Sequence, residues 1–416
     1  MIFQTLLHHQ PPYLTLPSPS FPPNFIFAVS AQPRFVRRQI SMPRNAVWNL
    51  GVRCQTSTSE AKCDDGFYIR RAVELARKAT GCTSPNPMVG CVIVKNGEIV
   101  GQGFHPKAGQ PHAEVFALRD AGELAEDATA YVTLEPCNHY GRTPPCSEAL
   151  IKAKVRRVVV GMVDPNPIVA SKGVEKLRSA GIEVTVGVEE ELCKRLNEAY
   201  IHKMLTGKPF VTLRYALSVN GHLLDQLGEG AAEYGGYYSK LLQEYDAILS
   251  PASSLQGGLS LPTSQEPGAN QPLHILVAKD PNEAVQLPIE AHDPSKVIIF
   301  TDKETTEETK LSGSGIETVV LDRISLDPIL EYCNQQGKCS LLFDLRGDCG
   351  DYVEMVEECF ERNLVQKVVV EILPLWSGDQ DEEASRWSLQ NPKGIKKLNR
   401  LTTMLAGDNV VLEGYF

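Results

Sequence analysis

The stretch PHAEVFALRDA, residues 111–121, read with TLEPCNHYGRTPPCSEALI, residues 133–151, decides how the first half of this chain folds. His112 opens one helical run. A short strand ends at Glu135-Pro136-Cys137, and Cys146 opens a second helical run after a loop rich in Gly and Pro. One imidazole and two thiolates form a three-ligand set for zinc with the fourth position open, as in catalytic sites; a structural site is closed by a fourth Cys or His. His139 is the one local residue able to close it. It lies only two positions after Cys137 and is expected to be a loop residue near a substrate instead. Glu114, two residues after His112, adds a carboxylate able to move protons for a metal-activated water.

Working outward, residues 67–80 (FYIRRAVELARKAT) have helical periodicity and end at Gly81, a C-cap residue. Ser84-Pro85-Asn86-Pro87 must be a loop, because two prolines exclude a helix. Residues 89–95 and 99–103 predict a hairpin about Asn96-Gly97. Strands are expected at 130–134, 157–161 and 182–186, and helices at 112–121, 146–154 and 173–180. Alternating strands and helices imply an α/β layered domain over 64–187, with the ligands at helix N-termini, where the positive helix end favours thiolate. One connecting helix is expected over 189–205, within a linker spanning 188–207. A second domain, 208–416, has strand-like runs at 211–219, 275–278, 296–301, 340–345 and 367–374, with a long loop at 257–272.

Residues 1–59 contain five Arg but no Asp, Glu or Lys, and many Pro and Ser. That composition predicts a removable organelle transit peptide, 1–54, of plastid rather than mitochondrial type and therefore a plastid-stroma address. Without those arginines the body is still more acidic than the whole-chain net charge of −10, which argues against nucleic-acid binding. No apolar run is long enough to span a membrane. The eleven Cys are scattered without a secreted framework and suit a reducing compartment. Cys63, Cys82 and Cys91 lack a neighbouring ligand at zinc spacing and are not expected to bind metal.

His-x-Glu followed by Pro-Cys is the pattern of zinc deaminases that hydrolyse an amine off a base, although eight residues separate the thiols here. The segments TSPNPMVGCVIVKNGEIVGQGFHPKAGQPHAE, TLEPCNHYGRTPPCSEALI and GMVDPNPIVASKGVEKLRSAGIEV resemble the diaminohydroxyphosphoribosylaminopyrimidine deaminases of riboflavin synthesis, in the cytidine-deaminase superfamily. The resemblance runs from about Phe67 to Gly187. It implies a three-layer α/β/α fold, one zinc ion on His112, Cys137 and Cys146, and Glu114 as catalytic proton carrier. It also implies a phosphoribosylated pyrimidine substrate and a pocket lined by Asn86, His105, Arg142, Asp164 and Asn166. Asn presents donor and acceptor edges to a pyrimidine, and His105 and Arg142 could meet a phosphate.

The second domain resembles a nicotinamide-dependent reductase of dihydrofolate-reductase type, an α/β fold, but with altered functional pieces. Arg214 replaces a lysine, Ser218-Val219-Asn220-Gly221 replaces Ser-x-Asp-Gly, and Asp344-Leu345-Arg346-Gly347 replaces a Glu-Gly-Gly turn. Only Gly combines permissive backbone angles with room for a phosphate to approach, so no NADPH binding is expected. The resemblance as a whole is to the plant plastid type that deaminates only, with a homo-oligomeric state and a possible separate reductase partner. Three alternatives stand beside it: a bifunctional deaminase–reductase, a zinc-stabilised interaction protein without activity, and a deaminase of nucleic acid.

Overall fold

The computed structural model describes residues 64–140, 144–166, 170–255, 261–278, 293–302, 316–346, 352–378 and 396–416. The expected transit segment, Arg142 and Gly347 lie outside them. Among the described residues no helix is long and apolar enough to cross a membrane.

The first sheet has five strands, β1 (Gly90–Lys95), β2 (Glu98–Phe104), β3 (Thr129–Leu134), β4 (Arg157–Met162) and β5 (Glu183–Val186), in the order β2-β1-β3-β4-β5. β1 pairs antiparallel with β2 and β3, whereas β3, β4 and β5 run parallel. Asn96 and Gly97 both take positive φ, 53° and 85°, as a two-residue hairpin with strand-matched twist requires. Side chains alternate across β1. Val92 and Val94 pack under α1 (Asp65–Ala76) and α5 (Glu190–Leu196), while Cys91 and Ile93 face α2 (Ala113–Ala121), α3 (Cys146–Lys152) and α4 (Lys172–Ser179). The result is an α/β/α sandwich. α2 lies directly on β2, because a Cβ at Gly103 would sit 2.4 Å from the Ala113 carbonyl. That close approach fixes where the chain enters α2, and so where His112 stands.

Two expectations are corrected. α1 starts at Asp65 rather than Phe67, with the Asp64 carboxylate capping it by accepting from the Phe67 amide at 2.7 Å. The connecting segment is two helices, α5 and α6 (Glu198–Thr206), not one. Asn197 breaks it at φ −124°, where its side-chain amide pairs with the backbone N–H and C=O of Met88 at 2.8 and 2.9 Å.

The second sheet holds β6 (Phe210–Ser218), β7 (Leu223–Leu224), β8 (Ala247–Pro251), β9 (Leu273–Val277), β10 (Val297–Thr301), β11 (Glu317–Val320), β12 (Ser340–Leu345), β13 (Lys367–Leu373), β14 (Asn399–Ala406) and β15 (Asn409–Tyr415). Its order is β11-β10-β9-β8-β12-β6-β13-β15-β14, with β7 on β6. It is parallel from β11 to β13 and closes with the antiparallel pair β15 and β14. α7 (Tyr237–Gln243) packs on one face, and α8 (Leu326–Gln335) and α9 (Val353–Glu361) on the other. The β14–β15 hairpin was not among the expected strands. Residues 261–272 carry neither helix nor strand, as expected of the loop there.

Candidate active site

Three chain segments converge at the end of the first sheet. His112 is the N-cap residue of α2, Cys137 follows β3, and Cys146 is the first residue of α3. Their donor atoms lie within 4.8 Å of one another, with His112 Nδ1 at 3.5 Å from Cys137 Sγ and 3.3 Å from Cys146 Sγ. The Cys146 amide points at Cys137 Sγ at 3.4 Å, and the Ser147 amide donates to the Cys137 carbonyl, so the second helix grips the first thiol's loop. The two sulfurs are driven apart in acidity. Hydrogen bonding from Cys146, and then from His112, pushes the Cys137 thiol down to about 4; the bond to Cys137 and burial push Cys146 up. His139 is exposed and outside this cluster, and Cys82 and Cys91 are also outside it.

Glu114 sits in the first turn of α2, only 3% exposed, and its Oε2 has no hydrogen-bond partner. Burial, reinforced by the nearby Cys137 sulfur, pushes its pKa up to about 7. An idle buried carboxylate oxygen is costly unless something else uses it. Two sulfurs, one imidazole nitrogen and this oxygen beside them fit a zinc ion with a water.

The remaining pocket residues fall into two pairs. His105 is buried beside His112, ring centroids 5.3 Å apart. Its Nδ1 lies 3.1 Å from the Pro111 carbonyl, which can only accept, so the proton is there; Nε2 then accepts from the Asn86 amide at 3.2 Å. Both ring nitrogens are thus engaged within the protein in the neutral tautomer, and burial lowers the His105 pKa. Asp164 and Asn166 follow β4; Asp164 Oδ1 accepts from the Asn166 amide at 2.9 Å and the Tyr200 hydroxyl at 3.2 Å. Burial raises the Asp164 pKa.

Sequence reasoning missed two residues here. Glu135 was read only as part of the Pro-Cys motif. Its carboxylate takes four backbone amides, those of Asp164, Ser171, Gly173 and Val174, at 2.9 to 3.3 Å, and so ties the ends of β3 and β4 to α4. Gly173 is forced by the same packing, since a Cβ there would stand 1.9 Å from the Pro136 carbonyl. A buried carboxylate before Pro-Cys was the available signal. Tyr200 gave none, because its partner lies 36 residues away.

The second sheet carries a different cluster. On adjacent parallel strands, Arg214 of β6 donates to Asp344 of β12 at 3.1 Å and to Glu371 of β13 at 2.7 Å. Tyr238 and Arg346 donate to the other Asp344 oxygen at 2.6 and 2.8 Å. The Glu229 amide and Asn409 take the other Glu371 oxygen, both at 2.8 Å. Asn220 is similarly occupied, bridging the backbone of Ser377 through its side-chain amide at 2.7 and 3.0 Å.

A layered α/β/α sheet with a His-Cys-Cys cluster and a buried Glu at its edge defines a deaminase of the cytidine type. In keeping with it, residues 63–162 match the family described as the cytidine and deoxycytidylate deaminase zinc-binding region. The likeness also extends past that region. The chain is 59% identical over 363 residues to the chloroplastic riboflavin biosynthesis protein PYRD of Arabidopsis thaliana, covering 86% of this chain and 84% of that one. It is 57% identical over 374 residues to the Zea mays protein of the same name, covering 90% and 93%. RibD of Acinetobacter baumannii superposes with a TM-score of 0.70 at 31% identity, over 84% of this chain and 98% of that one. The chain belongs to this PYRD and RibD family of riboflavin biosynthesis proteins, as an enzyme with a deaminase region.

Proposed function

We propose that the chain hydrolyses 2,5-diamino-6-(5-phosphoribosylamino)pyrimidin-4-one to 5-amino-6-(5-phosphoribosylamino)uracil and ammonia. The observation that carries this reading is Glu114: a buried carboxylate with its Oε2 unpartnered, beside three convergent zinc donors. His112, Cys137 and Cys146 would hold the zinc, which supplies a Lewis acid that makes water a nucleophile near neutral pH. Glu114 accepts one proton of the attacking water and passes it to the ring nitrogen; it then takes the second proton from the hydroxyl newly added to the ring carbon and passes it to the amine as the C–N bond breaks and ammonia leaves. Asn86, held by neutral His105, presents its free amide edge to the pyrimidine. Asp164 and Asn166 are assigned to the pocket wall and Arg142 to the phosphate. The test is ammonia release from this substrate by zinc-loaded protein starting at residue 55, with RNA as the control substrate. Release from RNA alone would replace this reading.

We further infer that the second sheet does not use NADPH. The support is chemical: Asp344 and Glu371 are consumed by protein donors, and bulky, buried Leu345 and Arg346 stand where the resemblance has glycines. The same assay followed at the nicotinamide absorbance tests it, since NADPH loss after ammonia release would establish the bifunctional alternative. The plant relatives' chloroplastic labels support a plastid address, to be tested by import into isolated plastids.

A further inference from the structure

We propose that the second sheet and the connecting helices act as a brace for deamination, with Asp246 and Tyr200 as positioning residues for the two substrate loops. The inference rests on the functional reading above for the roles of Asn86 and Asp164, and it gives the second sheet a task independent of any cofactor.

The loop that carries Asn86 is held mainly by discrete bonds from elsewhere. Asp246, 8% exposed at the start of β8, accepts the Ser84 hydroxyl at 2.7 Å on Oδ2. The same oxygen accepts the Cys339 amide at 2.6 Å and the Ser340 amide at 3.3 Å, so the carboxylate is locked into the second sheet before it reaches the loop. The Cys339 thiol lies 3.8 Å from the Pro85 carbonyl. Two residues past Asn86, the Met88 backbone is gripped on both sides by Asn197. Three residues further along the helix, Tyr200 donates to Asp164. One short helical stretch thus touches both substrate loops. That stretch is itself fixed to the second sheet: Lys203 donates to the Lys338 carbonyl at 2.8 Å, and Tyr415 donates to Glu198 at 2.7 Å.

Packing cannot do this work alone. A cavity of about 240 Å³ separates the loop from the second sheet, and Thr83, Asn86, Asn197, Tyr200, Asp246 and Cys339 are among its walls. Next to such a gap the loop lacks close-packed neighbours on one side, so its position depends on the Ser84, Pro85 and Met88 contacts. From Asn86, two residues after Ser84, contacts reach the three-ligand cluster in two steps, through His105 and the His112 ring. Asn86 therefore meets the substrate only as well as the loop that carries it is held, and a looser loop weakens that binding contact.

The experiment compares the full zinc-loaded chain with Ser84→Ala, Asp246→Ala, the conservative Asp246→Asn, and Tyr200→Phe. Hydrogen exchange and steady-state deamination are read side by side. For Ser84→Ala and Asp246→Ala the peptide spanning residues 83–90 should exchange faster, while the β3 peptide and the zinc content stay unchanged. KM should rise about tenfold with kcat changing far less, as loss of one positioning bond predicts. Asp246→Asn, which keeps an acceptor oxygen, should recover most of both effects. Tyr200→Phe should raise KM without altering the exchange of 83–90. Unchanged exchange in Ser84→Ala and Asp246→Ala would overturn the brace. Faster exchange with unchanged KM would reduce it to a structural contact and overturn the positioning role. Ser84→Ala removes a single hydroxyl, so it keeps the test open if Asp246→Ala fails to fold. Should the wild-type protein release no ammonia, the functional reading fails, and exchange alone then decides whether Asp246 holds the loop.

Discussion

Two buried clusters of charge, one at the end of the first sheet and one on the central strands of the second, are built on opposite principles. At the first, Glu114 is buried with one oxygen idle and a pKa near 7. At the second, all four oxygens of Asp344 and Glu371 are taken by donors of the protein. An unsatisfied buried carboxylate costs stability and is kept where chemistry needs it; a satisfied one has nothing left to offer a ligand. The contrast teaches that burial of charge alone does not mark a working site. The unused valence does.

Glu114→Gln is the sharpest way to break the comparison. Losing the proton carrier should lower kcat by about 10²- to 10⁴-fold. Removing an unpartnered buried charge should leave the melting temperature equal to the wild type or slightly higher, with zinc retained. A large fall in stability, measured by calorimetry beside a metal assay, would mean that Glu114 is a structural group.

Asp344→Ala should do the reverse. It removes one of the two carboxylates that Arg214 holds and the one that Arg346 holds, in a buried site, and breaking a buried pair costs about 3–5 kcal/mol. Deamination per folded molecule should not change, since the cluster's bonds run within the second sheet and not to Ser84, Asp246, Cys339 or Tyr200. Replacing Arg214, Asp344, Arg346 and Glu371 together by apolar residues of similar size should recover much of the loss, because matched removal of a buried ion cluster is often close to neutral. Denaturant titration of both variants checks this, and a fall in kcat at full folding would tie the second cluster to the chemistry.

The two regions also differed in how far they could be read from the chain. In the first, Cys91, Val92, Ile93 and Val94 alternate between two helical layers, and Asn96-Gly97 fixes the turn, so period and turn chemistry were sufficient. The ligand cluster was legible because its members open helices or end a strand within 35 positions. Long-range bonds were not. Glu135 and Tyr200 act on partners 29 to 39 residues away, and Asn197 breaks a segment of uninterrupted helical pattern to hold Met88, 109 residues away. In the second sheet, β14 presents Leu401, Met404 and Leu405 to solvent, so the usual inside–outside alternation is absent and the hairpin escaped notice.

Between the two extremes stands Asp65, satisfied like Asp344 but reached by water. Arg157 holds both of its oxygens at 2.9 and 2.8 Å, and Tyr131 donates to one of them at 3.0 Å. The Arg157 hydrogen bonds hold its carboxyl below the ordinary value of 3.8, against a smaller opposing effect of burial. Both side chains are partly exposed, 31% and 22%, so solvent screening discounts the pair to about 1 kcal/mol or less. Because the folded pKa lies below that of the unfolded chain, the stabilisation is fully present at neutral pH. It drains away as pH falls below 3.8 and through the folded pKa. Asp65→Asn should therefore be slightly less stable than the wild type at pH 7, with the difference shrinking towards zero in acid. A penalty approaching that of Asp344→Ala would mean that satisfaction of the carboxylate, and not its separation from water, sets the energy of these clusters.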